Sequence, residues 1–261
     1  MTSNLHQLIA SYDPDASLDH AFTIPASWYT DKDLYELELR TAFSNSWHFA
    51  ARRDQLEKPG SYVTTDIGTE PIVVVRGNDN VLRGFFNVCR HHAAAVMTEA
   101  EGTANQLRCP YHGWTYSLAG ELKGTPDFTG VCDFDRDSNG LVPIKVAEWE
   151  NWVFVKLNES GNSLQEFLGS SLIEQVTPLQ LNGLHWMGRR HYSFGCNWKV
   201  FVDNYLDGGY HVPHLHKGLD SVLDYSTYTI ENGSRFCLQT SAMATGGAGL
   251  RRLPGERARR T

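Results

Sequence analysis

The stretch CRHHAAAVMTEAEGTANQLRCPYHGW, Cys89 to Trp114, decides how the rest of the chain is read. It sets Cys-x-His (Cys89 and His91) seventeen residues ahead of Cys-x-x-His (Cys109 and His112). Two thiolates and two neutral imidazoles form a ligand set for zinc or for an iron–sulfur centre. Free cysteines are ordinarily buried hydrophobes. Four such residues in two matched pairs, each just after a run with strand character, instead point to a metal. A Cys-x-His half-site is foreign to zinc modules, which use Cys-x2–4-Cys or His-x3–5-His. A zinc-stabilised structural module remains the rival from another class. Pro110 and Gly113 suit a tight loop, and Trp114 is placed to shield a cluster from water.

Outward from this stretch the composition is that of a water-soluble globular chain. It has 261 residues, 41% hydrophobic and 20% charged, enough for one large or two modest cores. A net charge of −7 argues against a general nucleic-acid binder. No run of about eighteen apolar residues is present, so no membrane span is expected. The opening twenty residues lack a basic n-region and an apolar h-region, and they carry Asp13, Asp15 and Asp19. They read as neither a secretory signal nor a transit peptide. Five cysteines are too few and too scattered for a disulfide framework, which makes the reducing cytoplasm the expected location.

Local patterning divides the chain. Residues 1–44 read as a polar arm followed by a helix over SWYTDKDLYELELRTAFSNSW, with Thr30 and Asp33 as a capping box and Tyr35, Leu39, Ala42 and Phe43 on its apolar face. From residue 45 to 158 the period becomes that of strands: SYVTTDI, PIVVVRG and VLRGFFNV, with GNDN as a hairpin turn, then QLRC, WTYS and NWVFVKL. This predicts a small antiparallel β domain with both Cys/His pairs in loops at one end. Residues 159–240 predict a helix over GNSLQEFLGSSL, a strand in LHWMGRRHYSFGC leading into a helix near Asn197, and a hairpin at Asn232-Gly233. Residues 241–261 are rich in Arg and Gly and predict a disordered tail.

A second constellation lies in NWKVFVDNYLDGGYHVPHLHKGL, Asn197 to Leu219. Trp198, Phe201, Val202 and Tyr205 follow helical spacing and predict a buried face. His211 and His216 are candidate ligands for a mononuclear Fe(II) of the 2-His-1-carboxylate type, with His214 competing. Pro213 is expected to break the helix and push Val212 out of the α region, bringing His216 back toward His211.

Together the two constellations, from about Trp28 to Leu238, resemble the α subunit of a Rieske non-haem iron (ring-hydroxylating) oxygenase. DNYLDGGYHVPHLHK is similar to the choline monooxygenase branch. The resemblance implies an α+β architecture, with an N-terminal antiparallel β Rieske domain followed by an incomplete helix-grip catalytic domain. It implies a [2Fe–2S] cluster on Cys89, His91, Cys109 and His112, with both cysteines on one iron and both histidines on the other, and a mononuclear Fe(II) on His211 and His216. His92 stands where many relatives have Arg, and is read as a neighbour of the cluster. Asp207 is the implied acid that bridges a cluster histidine to an iron histidine of the next subunit, with Asp203 as fallback. Relatives place two residues between that acid and the first histidine, and here there are three. Both spacings leave the side chains adjacent on a helix. Asn204 corresponds to a polar residue near the iron.

The implied reaction takes electrons from NAD(P)H through a reductase or ferredoxin, activates O2, and hydroxylates a small organic substrate, either a choline-like quaternary ammonium or an aromatic compound. The implied assembly is a head-to-tail homotrimer. The family's third iron ligand is an Asp farther downstream, and the later carboxylates Asp220, Asp224 and Glu231 match no such motif. The sequence therefore reads as truncated at its C-terminus. A second reading, an electron-transfer-only or inactive Rieske fragment, stands beside the oxygenase.

Overall fold

Ile72, Val73, Val74 and Val75 are all fully buried, and they sort the first part of the chain into two cores. They lie on β3 (Glu70–Arg76), where successive side chains point to opposite faces. Val73 and Val75 join Tyr62, Phe85, Leu107, Tyr116 and the thiols Cys89 and Cys109. Ile72 and Val74 join Ala51, Leu56, Val153 and Val155 on the other face. Fully burying each such side chain contributes about 1.5–3 kcal/mol. A strand covered on both faces therefore reads as a continuous apolar run and not as an alternating one.

β3 is central in a seven-stranded antiparallel sheet of order β1-β10-β9-β4-β3-β2-β5. The flanking strands are β1 (His48–Arg52), β2 (Ser61–Ile67), β4 (Leu82–Phe86), β5 (Glu101–Thr103), β9 (Pro143–Trp149) and β10 (Trp152–Lys156). The GNDN segment turns β3 into β4, with Gly77 N–H donating to Val81 O at 2.9 Å and Asn80 at φ 63°. A second sheet of three short strands, β6 (Leu107–Arg108), β7 (Thr115–Tyr116) and β8 (Leu122–Gly124), contributes to the first core. The strands expected between residues 45 and 158 are present. β1, β5, β8 and β9, which the sequence reading did not single out, complete the sheets.

The computed structural model describes residues 3–17 and 19–244, which form two compact units, one running to residue 190 and one from His191. The first unit extends beyond residue 158. Trp47 Nε1 donates to Asn162 O at 3.1 Å, and Asn151 Nδ2 reaches Leu181 O and Leu184 O at 2.7 and 3.0 Å. Its N-terminal part is more ordered than a polar arm. α1 (Ser3–Ala10) buries Leu5, and Trp28 Nε1 donates to Leu8 O at 3.0 Å.

The expected capping box is not formed. α2 (Ser27–Thr30) ends, and α3 (Lys32–Glu38) starts behind Asp31, whose carboxylate accepts from Leu34 N at 2.8 Å. Asp31 sits in the extended conformation that an N-cap requires. Leu34, and not Tyr35, is the buried residue of α3, and a π-turn (Leu39–Phe43) follows. GNSLQEFLGSSL forms two helices, α4 (Leu164–Leu168) and α5 (Ser170–Val176), because Gly169 at φ 79° interrupts them. LHWMGRRHYSFGC holds no strand.

In the second unit α6 (Trp198–Leu206) begins behind Asn197, whose side chain caps Lys199 N. Trp198, Phe201, Val202 and Tyr205 are exposed and not buried. Among the described residues this unit has only α6, a 3-10 turn (Gly209–His211), the short turns α7 (Val212–Leu215) and α8 (Lys217–Asp220), and the hairpin β11 (Leu223–Asn232)–β12 (Cys237–Met243). That is too little chain to cover both sides of a helix. Residues 241–243 belong to β12. Ala244 N–H donates to Val222 O at 3.0 Å, and residues 245–261 of the expected Arg/Gly-rich tail lie outside the described residues.

Candidate metal centres

Two five-residue loops carry the first constellation, and their backbones close in the same way. Cys89 N–H donates to Ala94 O and Ala93 N–H to Cys89 O, at 2.8 and 3.0 Å. Cys109 N–H donates to Trp114 O and Gly113 N–H to Cys109 O, also at 2.8 and 3.0 Å. In each loop the residue four after the cysteine is left-handed, Ala93 at φ 59° and Gly113 at φ 74°. Glycine adopts that conformation freely, whereas alanine pays for its Cβ.

Cys89 and Cys109 are both buried, at 3% and 2% exposure, and their side chains contact each other. Burial pushes the Cys109 thiol up, while the N–H groups of Tyr111 and His112 favour its thiolate. The His91 and His112 rings are 4.7 Å apart and nearly perpendicular. His91 stacks on Trp114 at 4.8 Å and 8°, and Phe128 and Phe134 meet Trp114 edge-on. Desolvation, then the His92 and His112 rings, lowers the His91 pKa and favours the neutral imidazole that binds metals. His91 Nδ1 is buried and has no hydrogen-bond partner. An unpartnered ring nitrogen beside a second histidine and two touching thiols fits a His2Cys2 cluster on chemical grounds. His92 lies 3.9 Å from His91, and the nitrogens of His91, His92 and His112 also come within 4.8 Å of one another. A three-histidine set leaves both buried thiols unused, so the His2Cys2 set is the better account.

Sequence reasoning missed two residues here. Tyr116 is fully buried, and its hydroxyl meets Cys89 Sγ at 3.3 Å and accepts from Arg90 N at 3.0 Å. Burial first, and then the Cys89 contact, raises its pKa, so it stays a donor. Asn87 is buried with its side chain bonded to Val96 and Met97. A lone amide in the apolar run FFNVC was the available signal.

The second constellation forms a cavity of about 820 Å³ lined by His211, His216, Asn204, Tyr205, Tyr228 and Gln239, among others. The two histidine rings lie 5.2 Å apart, while His214 does not line the cavity. Pro213 acts differently from expectation. It sits in the first turn of α7, where a missing N–H costs nothing, and Val212 stays helical at φ −56° and ψ −50°. The chain turns at His216, at φ −107° and ψ 60°. Asp207 Oδ2 lies 4.0 Å from His211 Nδ1, which is buried and without a hydrogen bond. Gly209 is buried beneath the Tyr225 and Tyr228 rings, and any Cβ there would fall 2.6 Å from Tyr228. No carboxylate lines the cavity among the described residues. Asp224 instead accepts from Ser226 N and Oγ at 3.1 and 2.6 Å. Two of the three donors of a 2-His-1-carboxylate site are therefore in place, and the set does not by itself fit that iron.

Paired loops that set two buried thiols against two imidazoles on an antiparallel β unit define a Rieske protein. The chain belongs to the Rieske oxygenases of the ring-hydroxylating α-subunit type. Residues 46–135 match the Rieske [2Fe-2S] domain, and residues 181–260 match the ring hydroxylating alpha subunit catalytic domain. The chain is similar to the chloroplastic choline monooxygenase of Arabidopsis thaliana, at 37% identity over 87% of this chain and 56% of the relative. It is also similar to the carnitine monooxygenase oxygenase subunit of Escherichia coli K12, at 34% identity over 82% of this chain and 57% of the relative. Among solved structures it resembles the quaternary ammonium Rieske monooxygenase CntA in complex with an inhibitor, with TM-score 0.80, 31% identity, and 86% and 62% of the two chains covered. Naphthalene 1,2-dioxygenase from Rhodococcus sp. matches with TM-score 0.71, 25% identity, and 89% and 56% covered. The chain thus spans a little over half the length of the curated relatives it matches.

Two outcomes follow from the loop geometry. Ala93→Gly relieves the left-handed alanine and raises stability by about 1 kcal/mol, read from urea unfolding of the apoprotein. A loss of stability would show that the methyl packs usefully. Tyr116→Phe keeps the cluster but lowers its reduction potential, because the hydroxyl donates to a sulfur that gains negative charge on reduction. Potentiometric titration of both proteins checks the sign.

Proposed function

We propose that the chain is the oxygenase component of a Rieske monooxygenase acting on small quaternary ammonium compounds, with a mononuclear Fe(II) held in part by His211 and His216. The observation that carries the reading is the presence, beside the His2Cys2 loops, of a second site where the His211 and His216 rings lie 5.2 Å apart and Asp207 stands 4.0 Å from His211. The substrate class is supported by the naming of the most similar curated relatives, choline and carnitine monooxygenases, although naphthalene dioxygenase keeps an aromatic substrate in view.

Cys89, His91, Cys109 and His112 would hold a cluster that supplies single-electron transfer, and an iron given a third ligand besides His211 and His216 would supply oxygen activation. The overall reaction consumes O2, two electrons and two protons, and yields a hydroxylated product and water. The residues of this chain prepare that chemistry. Tyr116 and the N–H groups of Tyr111 and His112 stabilise charge on the sulfurs. Trp114, Phe128 and Phe134 exclude water from the His91 side. Asp207 Oδ2 stands 4.0 Å from His211 Nδ1, close enough to pair with that ring when it is charged but without a hydrogen bond. Asn204 offers a polar group to the same cavity. Neither Asp207 nor Asp203 lines it, and Asp207 is the one paired with His211. We assign Asp207 the bridging role to a cluster histidine of the next subunit. A solved quaternary ammonium Rieske monooxygenase described as using inter-subunit electron transfer supports transfer between subunits, which we place in a head-to-tail homotrimer. The electron donor is an NAD(P)H-dependent reductase or ferredoxin. All five cysteines are free thiols, which supports a reducing, cytoplasmic setting. No described helix is long and apolar enough to cross a membrane.

The missing carboxylate in the cavity favours a second reading, an electron-transfer-only protein. Oxygen uptake with a competent reductase separates the two. The oxygenase reading expects uptake that depends on choline or carnitine and exceeds that with naphthalene. Cluster reduction without substrate-dependent uptake establishes the second reading.

Two variants test the assignments. Cys89→Ser abolishes the visible chromophore, whereas Cys132→Ser, on an exposed loop residue, leaves it intact. Loss of colour in the second variant would place Cys132 among the ligands. Asp207→Ala leaves cluster reduction by the reductase unchanged but slows its substrate- and oxygen-dependent reoxidation by about tenfold or more. Unchanged reoxidation in stopped-flow traces would move the bridge to another acid, with Asp203 next.

A further inference from the structure

The two cluster loops close alike but are anchored differently. The second loop is the tip of a β hairpin, with Leu107 paired to Tyr116 and Arg108 to Thr115 directly below it. The first loop has almost no ladder. β4 ends at Phe86, and a single bridge, Val88 to Ala95, joins the two arms of the loop.

We propose that Asn87 is the positioning residue that replaces this missing ladder and fixes Cys89 and His91 for the cluster; the proposal rests on the Rieske reading above. Asn87 Oδ1 accepts from Val96 N at 3.0 Å and Met97 N at 2.9 Å, and Nδ2 donates to Met97 O at 2.7 Å. Its backbone N–H donates to Pro71 O at 2.8 Å, which ties it to the start of β3. One carboxamide thus satisfies two donors and one acceptor across the base of the loop, as a ladder rung would. Asn87 and Val96 are buried, at 4% and 1% exposure, and Met97 is half-buried. Without the side chain, two N–H groups and a carbonyl lose their partners, and the buried Val96 N–H is left unsatisfied, which destabilises the closed loop. The loop above it also holds Ala93 in a left-handed conformation, so it has a conformational reason to open once the clamp is gone. Opening moves Cys89 and His91 together. Each iron of a His2Cys2 cluster then loses one of its two protein ligands.

Asn87→Ala and Asn87→Asp in the 261-residue chain test this. Asp keeps the two acceptor contacts but sets a carboxylate oxygen against Met97 O. The readouts are the half-life of the visible band under a ferrous chelator, the EPR spectrum of the reduced cluster, and the thermal unfolding of the apoprotein. The expected result is an Ala variant whose apoprotein still unfolds cooperatively. Its cluster half-life falls by about tenfold or more, and its EPR spectrum departs from that of the parent. The Asp variant falls between the two. If the Ala variant does not fold, a shortened half-life in the Asp variant supports the proposal, and one equal to the parent overturns it. Parent-like half-life and spectrum in the Ala variant overturn it. So does equal loss in both variants, or failure of both apoproteins to fold, which would assign Asn87 to the whole fold. A parent chain that takes up no cluster contradicts the Rieske reading itself, whereas a loaded parent with unresponsive variants contradicts Asn87 alone.

Discussion

Two cysteine side chains in contact with each other inside an apolar core are the constraint on which this structure turns. Cys89 and Cys109 share that core with Val73, Val75, Leu107 and Tyr116, so any charge they carry must be met locally. Two thiolates side by side in such a medium repel, and burial penalises each one. A metal bound by both sulfurs would remove both penalties, and the surrounding chain is arranged as a holder. The sheet supplies a rigid floor, each loop closes with the same two hydrogen bonds, and aromatic rings cover the histidine side.

The second unit follows a different logic. Its candidate site depends on a short helical segment that turns sharply at His216 and on a glycine pressed under two tyrosine rings. Tyr228 hydrogen-bonds to Gln239, and Gln239 Nε2 donates to Tyr205 O at 3.2 Å, so the hairpin holds the end of α6. These contacts set where His211 and His216 stand relative to each other. The exposed apolar face of α6 shows that the helix is patterned for more contact than the described residues provide.

The legible part of the sequence was the part with strong local rules. Runs of β-branched and aromatic residues marked β2, β3, β4 and β10, and the Cys/His spacing marked the two loops that bring two thiols and two imidazoles together. Helix boundaries were less legible. Asp31 and Thr30 are both good caps, and only tertiary context chose Asp31. Pro213 has two compatible roles, breaker or first-turn residue, and its environment selected the second. Asn87 and Tyr116 were missed because their work is to bond partners nine or more residues away, which no local pattern encodes.

The central claim is that His91 and His112 bind the same cluster as Cys89 and Cys109. Pulsed EPR on the reduced chain grown with nitrogen-15 histidine tests it most directly. The account predicts a [2Fe–2S] signal with strong couplings from two directly bonded histidine nitrogens. A cluster signal without them, or a colourless chain holding a single zinc, would contradict it.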